Sequence, residues 1–191
     1  MPIWRKDAEK SAVLALSAQV TATLKAAVIR VKLDDREEVS AGFKFNDWEM
    51  RGVPLRIEIG PRDVEQNAVV FARRDVLGKE GKTFGVPVAQ IAQAAADMLT
   101  TIQAAMLQRA TVFREANTRT VKSYDEFTQV LDGPGGFIRA HWAGNNEDED
   151  AIKDETKATI RCYPFDTPEG EGVCFYTGKR TSRVAIFARA Y

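Results

Sequence analysis

Apolar residues recur along the chain in two periods, and the switches between them predict its elements. Over residues 7–27, Val13, Leu16, Val20, Leu24 and Ala27 return every three or four positions, with Lys10, Gln19 and Lys25 between them. That is the stripe of an amphipathic helix. Residues 28–33, VIRVKL, then alternate apolar and basic and predict a strand. A helix followed by a strand, with only Pro2-Ile3-Trp4 ahead of it, is an awkward start for an α/β unit and suggests a beginning inside a larger chain. Gly42 opens a short amphipathic turn or helix that carries Phe43, Lys44, Phe45, Trp48 and Glu49, and Gly52-Val53-Pro54 ends it. Leu55-Arg56-Ile57-Glu58-Ile59 alternates as a strand with one covered face, and Gly60-Pro61 leaves Arg62 and Asp63 at its tip. The apolar run 68–72 predicts its antiparallel partner, because the connection is short.

Residues 73–85 read as a basic loop with Gly78, Gly81 and Gly85, a solvated hairpin tip or a phosphate contact. The spacing matches neither a P-loop nor a dinucleotide fingerprint. From Pro87 to about Asn117, Ile91, Ala95, Met98, Ile102, Met106, Ala110 and Phe113 make one stripe, a long helix with its apolar face in the core. Ser123-Tyr124-Asp125-Glu126 has capping-box form and starts a short helix to about Leu131. Asp132-Gly133-Pro134-Gly135-Gly136 is the clearest break in the chain, a candidate domain boundary. Beyond it, 137–142 and 158–163 read as strands, and the acidic 145–154 as a helix start. Residues 167–172 read as a loop, and 173–177 with 184–187 as the rest of a small sheet.

Composition narrows the function classes. The 191 residues suffice for one medium domain or two small ones, and 45% hydrophobic content supports a packed core. Lys plus Arg equals Asp plus Glu at 27 each, which argues against a generally basic nucleic-acid coat but not against a local patch. No apolar run reaches about 18 residues, so no membrane span is expected. Cys162 and Cys174 make no disulfide framework, and a reducing cytoplasm is the expectation. With His141 as the single histidine, a multi-histidine metal site is excluded, and no nucleophile–base constellation stands out.

The stretch 34–63, DDREEVSAGFKFNDWEMRGVPLRIEIGPRD, concentrates charge, aromatic rings and glycine punctuation. On its own it is either a strand–helix–strand unit with aromatic core or a recognition surface. LDDREE, GFKFNDWEMRGVPLRIEIGPRD, VVFARRD, GGFIRAHWAG, ETKATIRCYPFD and the terminal FARAY, in this order, resemble the C-terminal portion of prolyl-tRNA synthetases of the archaeal/eukaryote-like type. The resemblance covers essentially the whole chain. It implies an α/β fold: a mixed β-sheet flanked by helices, the class II anticodon-binding domain, over residues 1–118. A small α+β C-terminal domain, of a kind that often binds zinc, would follow over 119–191.

The resemblance also implies tRNA(Pro) as partner. Single-stranded bases are read by stacking and by bonds to their edges. Guanine, shared by proline anticodons at two positions, offers donors to a carboxylate and acceptors to Arg or Lys. Arg36, Lys44, Glu49, Glu58, Arg62, Asp63 and Arg73 are the candidate readers, with Phe43, Phe45 and Trp48 as stacking platforms or core. Tyr191 is expected to contact the catalytic domain of the same synthetase. That domain, with its ATP and Mg, is expected upstream, so this chain alone is not expected to form prolyl-adenylate, and the full-length enzyme is expected to be a homodimer. The family's four zinc cysteines fall here on Ala143, Asp148, Cys174 and Thr177. One thiolate cannot close a tetrahedron, so neither zinc nor another cofactor is expected in this chain. A competing reading is a free-standing interaction or regulatory module that reuses the fold without tRNA.

Overall fold

A computed structural model describes residues 1–166 and 170–189. The chain divides into two compact units, residues 1–108 and 109–191. The predicted break at 132–136 lies inside the second unit rather than between the two.

In the first unit, helix α1 (Asp7–Ala26) buries Val13, Leu16, Val20 and Leu24, the face that the period predicts. It ends in a Schellman turn. The Val28 amide donates to Lys25 O at 2.9 Å and the Ile29 amide to Leu24 O at 3.0 Å, which satisfies two of the last carbonyls. Helix α2 (Ala41–Met50) is capped by Ser40, whose hydroxyl accepts from the Phe43 amide. Strand β1 (Leu55–Glu58) leads to a short helix, α3 (Pro61–Glu65), so Arg62 and Asp63 lie on a helical turn and not at a bare strand tip. Strand β2 (Ala68–Arg73) pairs antiparallel with β1, as expected, and also with β3 (Lys82–Pro87). The order β1-β2-β3 makes β2 central, which is why its run is buried almost throughout. The core joins α1 and the sheet through Val13, Val20, Leu24, Ile59, Val69 and Phe71.

Three expectations change. Residues 28–33 form no strand, although Ile29, Val31 and Leu33 are half-buried, because no strand lies alongside to complete a ladder. The basic "loop" closes as β3, an edge strand that tolerates Gly85 and Pro87 because only one of its sides needs hydrogen bonds. Helix α4 starts at Ile91 rather than Pro87 and runs to Ala116. Its stripe is core only in part: Ile91, Ala95 and Ile102 are buried, while Met106 and Phe113 are exposed.

In the second unit, β4 (Thr118–Thr120) lies parallel to β5 (Phe137–His141). Helix α5 (Tyr124–Asp132) follows Ser123, whose hydroxyl accepts from the Glu126 amide while Glu126 accepts from the Lys122 amide. Helix α6 (Asn146–Thr156) is followed by β6 (Ala158–Cys162), the short hairpin β7 (Gly172–Val173) with β8 (Arg180–Thr181), and β9 (Val184–Arg189). The main sheet has the order β4-β5-β9-β6. Contrary to expectation, 174–177 adds no strand to it; Gly178 N bonds back to Cys174 O in a tight turn. Phe127, Ile138, Trp142, Ile152, Phe175 and Phe187 build the core, with Phe127 and Phe175 rings 4.8 Å apart.

Candidate nucleic-acid interface

Register across the first sheet assembles the site. Arg56 lies opposite Ala72, and Ala72 opposite Lys82, so a guanidinium and an ammonium share one row with only a methyl group between them. Alternation places Glu58 on the same face of β1 as Arg56, while Leu55 and Ile57 face the core. Glu58 is 8% exposed and serves both cations: its Oε1 accepts from Arg56 Nε at 3.0 Å, and its Oε2 from Lys82 Nζ at 2.7 Å. Helix α2 contributes the other half. Glu49 Oε1 accepts from Arg56 Nη1 at 2.6 Å, and the Phe45 ring lies 4.0 Å from the Arg56 guanidinium carbon. Arg56 thus lies over a ring and is tied to two carboxylates, so its guanidinium is a planar group whose donors point in set directions. Glu49 keeps 40% of its side chain exposed.

A second cluster braces the entry to α2. Asp34, almost wholly buried, accepts from Arg36 Nε and Nη2 at 2.8 and 2.7 Å and from Trp48 Nε1 at 2.7 Å. Arg36 Nη2 also donates to Asp47, which is bonded in turn to Arg51. The paired Arg36 guanidinium holds the Asp34 carboxyl well below its ordinary range against the opposing effect of burial, with the Trp48 bond adding to it. These bonds occupy Asp34 and much of Arg36 inside the fold.

The candidate readers therefore separate. Phe45, Glu49 and Glu58 come together, and the residues that unite them, Arg56 and Lys82, were not among the candidates. The signal for Arg56 is its two-residue spacing from Glu58, which puts both on one strand face; Lys82 joins them only through the register of β3. Arg36 and Trp48 belong to the bracing cluster. Lys44 is 4% exposed and turned inward, although it was expected to reach a base. Asp63 accepts from the Gly60 amide at 2.7 Å and caps α3. Arg73 forms a two-bond pair with Asp75 at the end of β2. Arg62 is exposed on α3, and Phe43 is exposed on α2. Tyr191 lies outside the described residues.

In the second unit, the positions aligned with zinc cysteines do not fit the metal. Cys174 is the one thiol. Burial pushes it up, but bonds from Thr177 and from the amides of Thr177, Ala143 and Tyr176 outweigh this and bring it below its ordinary value. Asp148 is spent on capping α6, where it accepts from the Asn145 amide at 3.0 Å. Ala143 supplies no ligand atom, and among the described residues no group of three metal-ligating side chains occurs. The His141 ring packs against Gly172, where even a Cβ would clash with it.

Helix α2 and an antiparallel sheet thus hold a guanidinium, a ring and two carboxylates together on the polar face of an α/β domain. Residues 2–97 match the anticodon-binding domain family, and residues 124–191 match the prolyl-tRNA synthetase C-terminal family. The chain belongs to the prolyl-tRNA synthetase family, matching its anticodon-binding and C-terminal domains. Among curated relatives it is 49% identical to the proline–tRNA ligase of Roseiflexus castenholzii, across 100% of this chain and 39% of that protein. It is 45% identical to the chloroplastic/mitochondrial proline–tRNA ligase of Arabidopsis thaliana, across 100% of this chain and 35% of that one. The Flavobacterium johnsoniae proline–tRNA ligase is 42% identical, across 100% and 38%. The chain spans less than two fifths of the length of these relatives. No helix among the described residues is long and apolar enough to cross a membrane.

Proposed function

We propose that this chain reads the anticodon of tRNA(Pro) as part of a proline–tRNA ligase. The observation that carries the reading is the Arg56 platform on Phe45, tied to Glu49 and Glu58. An unstacked guanine meets a guanidinium plane or ring for stacking, a carboxylate for its N1–H and N2–H, and a cation for O6 and N7. Glu49 is the exposed carboxylate, and Lys82 and Arg62 are the cations within the same domain. The chain's partners are then tRNA(Pro) and the catalytic domain of the same synthetase, which supplies ATP and Mg chemistry in a cytoplasmic homodimeric enzyme. Tyr191 is the proposed interdomain contact. The second unit is held by its aromatic core and takes no zinc.

The test is a titration at fixed salt with a tRNA(Pro) transcript and with one whose two anticodon guanines are replaced. The expected result is a preference of about tenfold or more, equivalent to roughly 1.4 kcal/mol per tenfold, that Arg56→Ala abolishes. Equal affinities for the two transcripts would overturn the reading in favour of a module that does not use tRNA.

A further inference from the structure

We propose that the cleft at the N-terminus of α2 is a phosphate subsite, taken by a phosphodiester of the RNA strand whose bases meet the Arg56 face. The proposal rests on the anticodon reading and adds a backbone contact to it.

The cleft has a volume of about 250 Å³, and Trp4, Arg36, Glu37, Ser40, Ala41 and Lys44 are among its lining residues. Helix α2 supplies donors there. The Ser40 hydroxyl accepts from the Phe43 amide, and Ser40 O accepts from the Lys44 amide at 3.1 Å. The amides of Ala41 and Gly42 have no partner among the described residues. Two N–H groups at the positive end of a ten-residue helix, with no acidic residue in its first turn, are therefore free for an acceptor.

Lys44 points to an anion independently. A helical side chain leans toward the N-terminus of its own helix, and Lys44 lines the cleft although it is only 4% exposed. Its ammonium has neither a hydrogen-bond nor an ion-pair partner among the described residues. Every fully sealed side-chain nitrogen among them has a partner, so the Lys44 ammonium keeps its access to solvent through the cleft it lines. An ammonium on a buried stem at the positive end of a helix is disfavoured twice, by desolvation and by like charge. An anion relieves both. Glu37, the carboxylate along the lining, does not fill this place, because it is 60% exposed and paired with Lys10 at 2.7 Å. Arg36 adds charge to the wall, while Asp34 and Asp47 hold its Nε and Nη2.

A phosphate group brings several acceptor oxygens to two amides and one ammonium. Position favours an RNA phosphodiester over free phosphate. Ala41 lies about one turn before Phe45 and two before Glu49, roughly 6–12 Å along the axis from the residues proposed to meet a base. Phosphate contacts set register and base contacts set sequence. The cleft then fixes where the strand lies, and the Arg56 face selects the base beside it.

The experiment titrates the 191-residue chain, Lys44→Met and Ala41→Asp with the tRNA(Pro) transcript and with the guanine-replaced transcript, over a range of salt. Lys44→Met keeps the buried stem and removes the charge. Ala41→Asp puts a carboxylate of the protein's own into the cleft, one turn before Lys44. Both variants are expected to bind both transcripts about tenfold more weakly, with the preference between them unchanged. Lys44→Met should also lower the slope of log K against log salt by about 0.7. Both variants are expected to melt no lower than the parent, which separates an anion site from a lysine that holds the fold. Inorganic phosphate at constant ionic strength should raise the melting temperature of the parent and of neither variant. Parental affinity and slope in Lys44→Met, or a lower melting temperature in both variants, overturns the proposal. A phosphate shift confined to the parent, with tRNA affinity unchanged in both variants, overturns the RNA assignment in favour of free phosphate. Failure of the anticodon reading shows separately, as equal affinities of the parent for the two transcripts.

Discussion

Glu58→Gln tests whether one buried carboxylate organises the recognition face. The substitution keeps the volume and one acceptor but removes the charge between Arg56 Nε, 3.0 Å away, and Lys82 Nζ, 2.7 Å away. A hydrogen bond to a charged group contributes about 1.5–3 kcal/mol. Glutamine can still accept one of the two bonds, but its amide N–H then points at the other cation. Arg56 and Lys82 are 13% and 27% exposed, so water only partly compensates. Glu49 is 40% exposed and its pairing with Arg56 is well screened, so it does not replace Glu58. The expected loss is about 2–3 kcal/mol, a fall in melting temperature of roughly 10–20 °C for a unit of this size. Circular dichroism melts check the stability, and the two-transcript titration checks the function. Affinity for tRNA(Pro) should fall about 5- to 30-fold, while Glu65→Gln, on an exposed position, changes neither. Adding Lys82→Met to Glu58→Gln should recover part of the stability, because losing both partners is milder than stranding one. A melting temperature within about 2 °C of the parent, with anticodon preference intact, would refute the role of Glu58.

Three further outcomes follow from the same geometry. Asp34→Ala strands Trp48 Nε1 and removes the two-bond partner of Arg36, with an expected cost of about 2–4 kcal/mol in denaturant melts at pH 7. Because the folded-state pKa of Asp34 is depressed, its contribution is complete above the unfolded value of about 3.9 and is lost as pH falls through the folded one; the difference between parent and variant should therefore shrink below about pH 4. Val28 holds φ at 60° and is 91% exposed, so Val28→Gly should raise stability by about 1 kcal/mol, read as a higher melting temperature; a fall would show that its side chain contributes in place. Chelator treatment should leave the melting temperature unchanged and elemental analysis should find no stoichiometric zinc, whereas a fall in melting temperature that zinc restores would overturn the metal-free reading of the second unit.

Periodicity revealed α1 and the β1–β2 pair because each buries one face, and burial writes itself into spacing; α2, whose one buried residue is Lys44, is marked instead by Gly42 and Gly52-Val53-Pro54. It did not reveal β3, because an edge strand with Gly85 and Pro87 follows no propensity and depends on the apolar run of β2 beside it. For residues 29–33 the alternation was legible and the absence of a ladder was not, since pairing depends on a neighbour and not on the segment. The site divides in the same way. Residue type marked Arg36, Trp48 and Asp63 as binders, but their hydrogen-bonding capacity is taken up by Asp34, Asp47 and the Gly60 amide. Type could not show that, because a spent guanidinium and a free one are written alike. Arg56 carries no mark of its own in the sequence, because it sits in a strand that reads as core, and its place depends on a cross-strand row that ends at Lys82 in an element the sequence does not disclose. Removing the residues that brace the entry to α2 or cap α3 leaves Phe45, Glu49, Arg56 and Lys82, which are tied to one another through Glu58 on one face, with Arg62 exposed on α3. The smaller set makes a sharper demand on experiment: base preference should respond to Arg56 and Glu49, whereas changes at Arg36 or Trp48 should act first on stability.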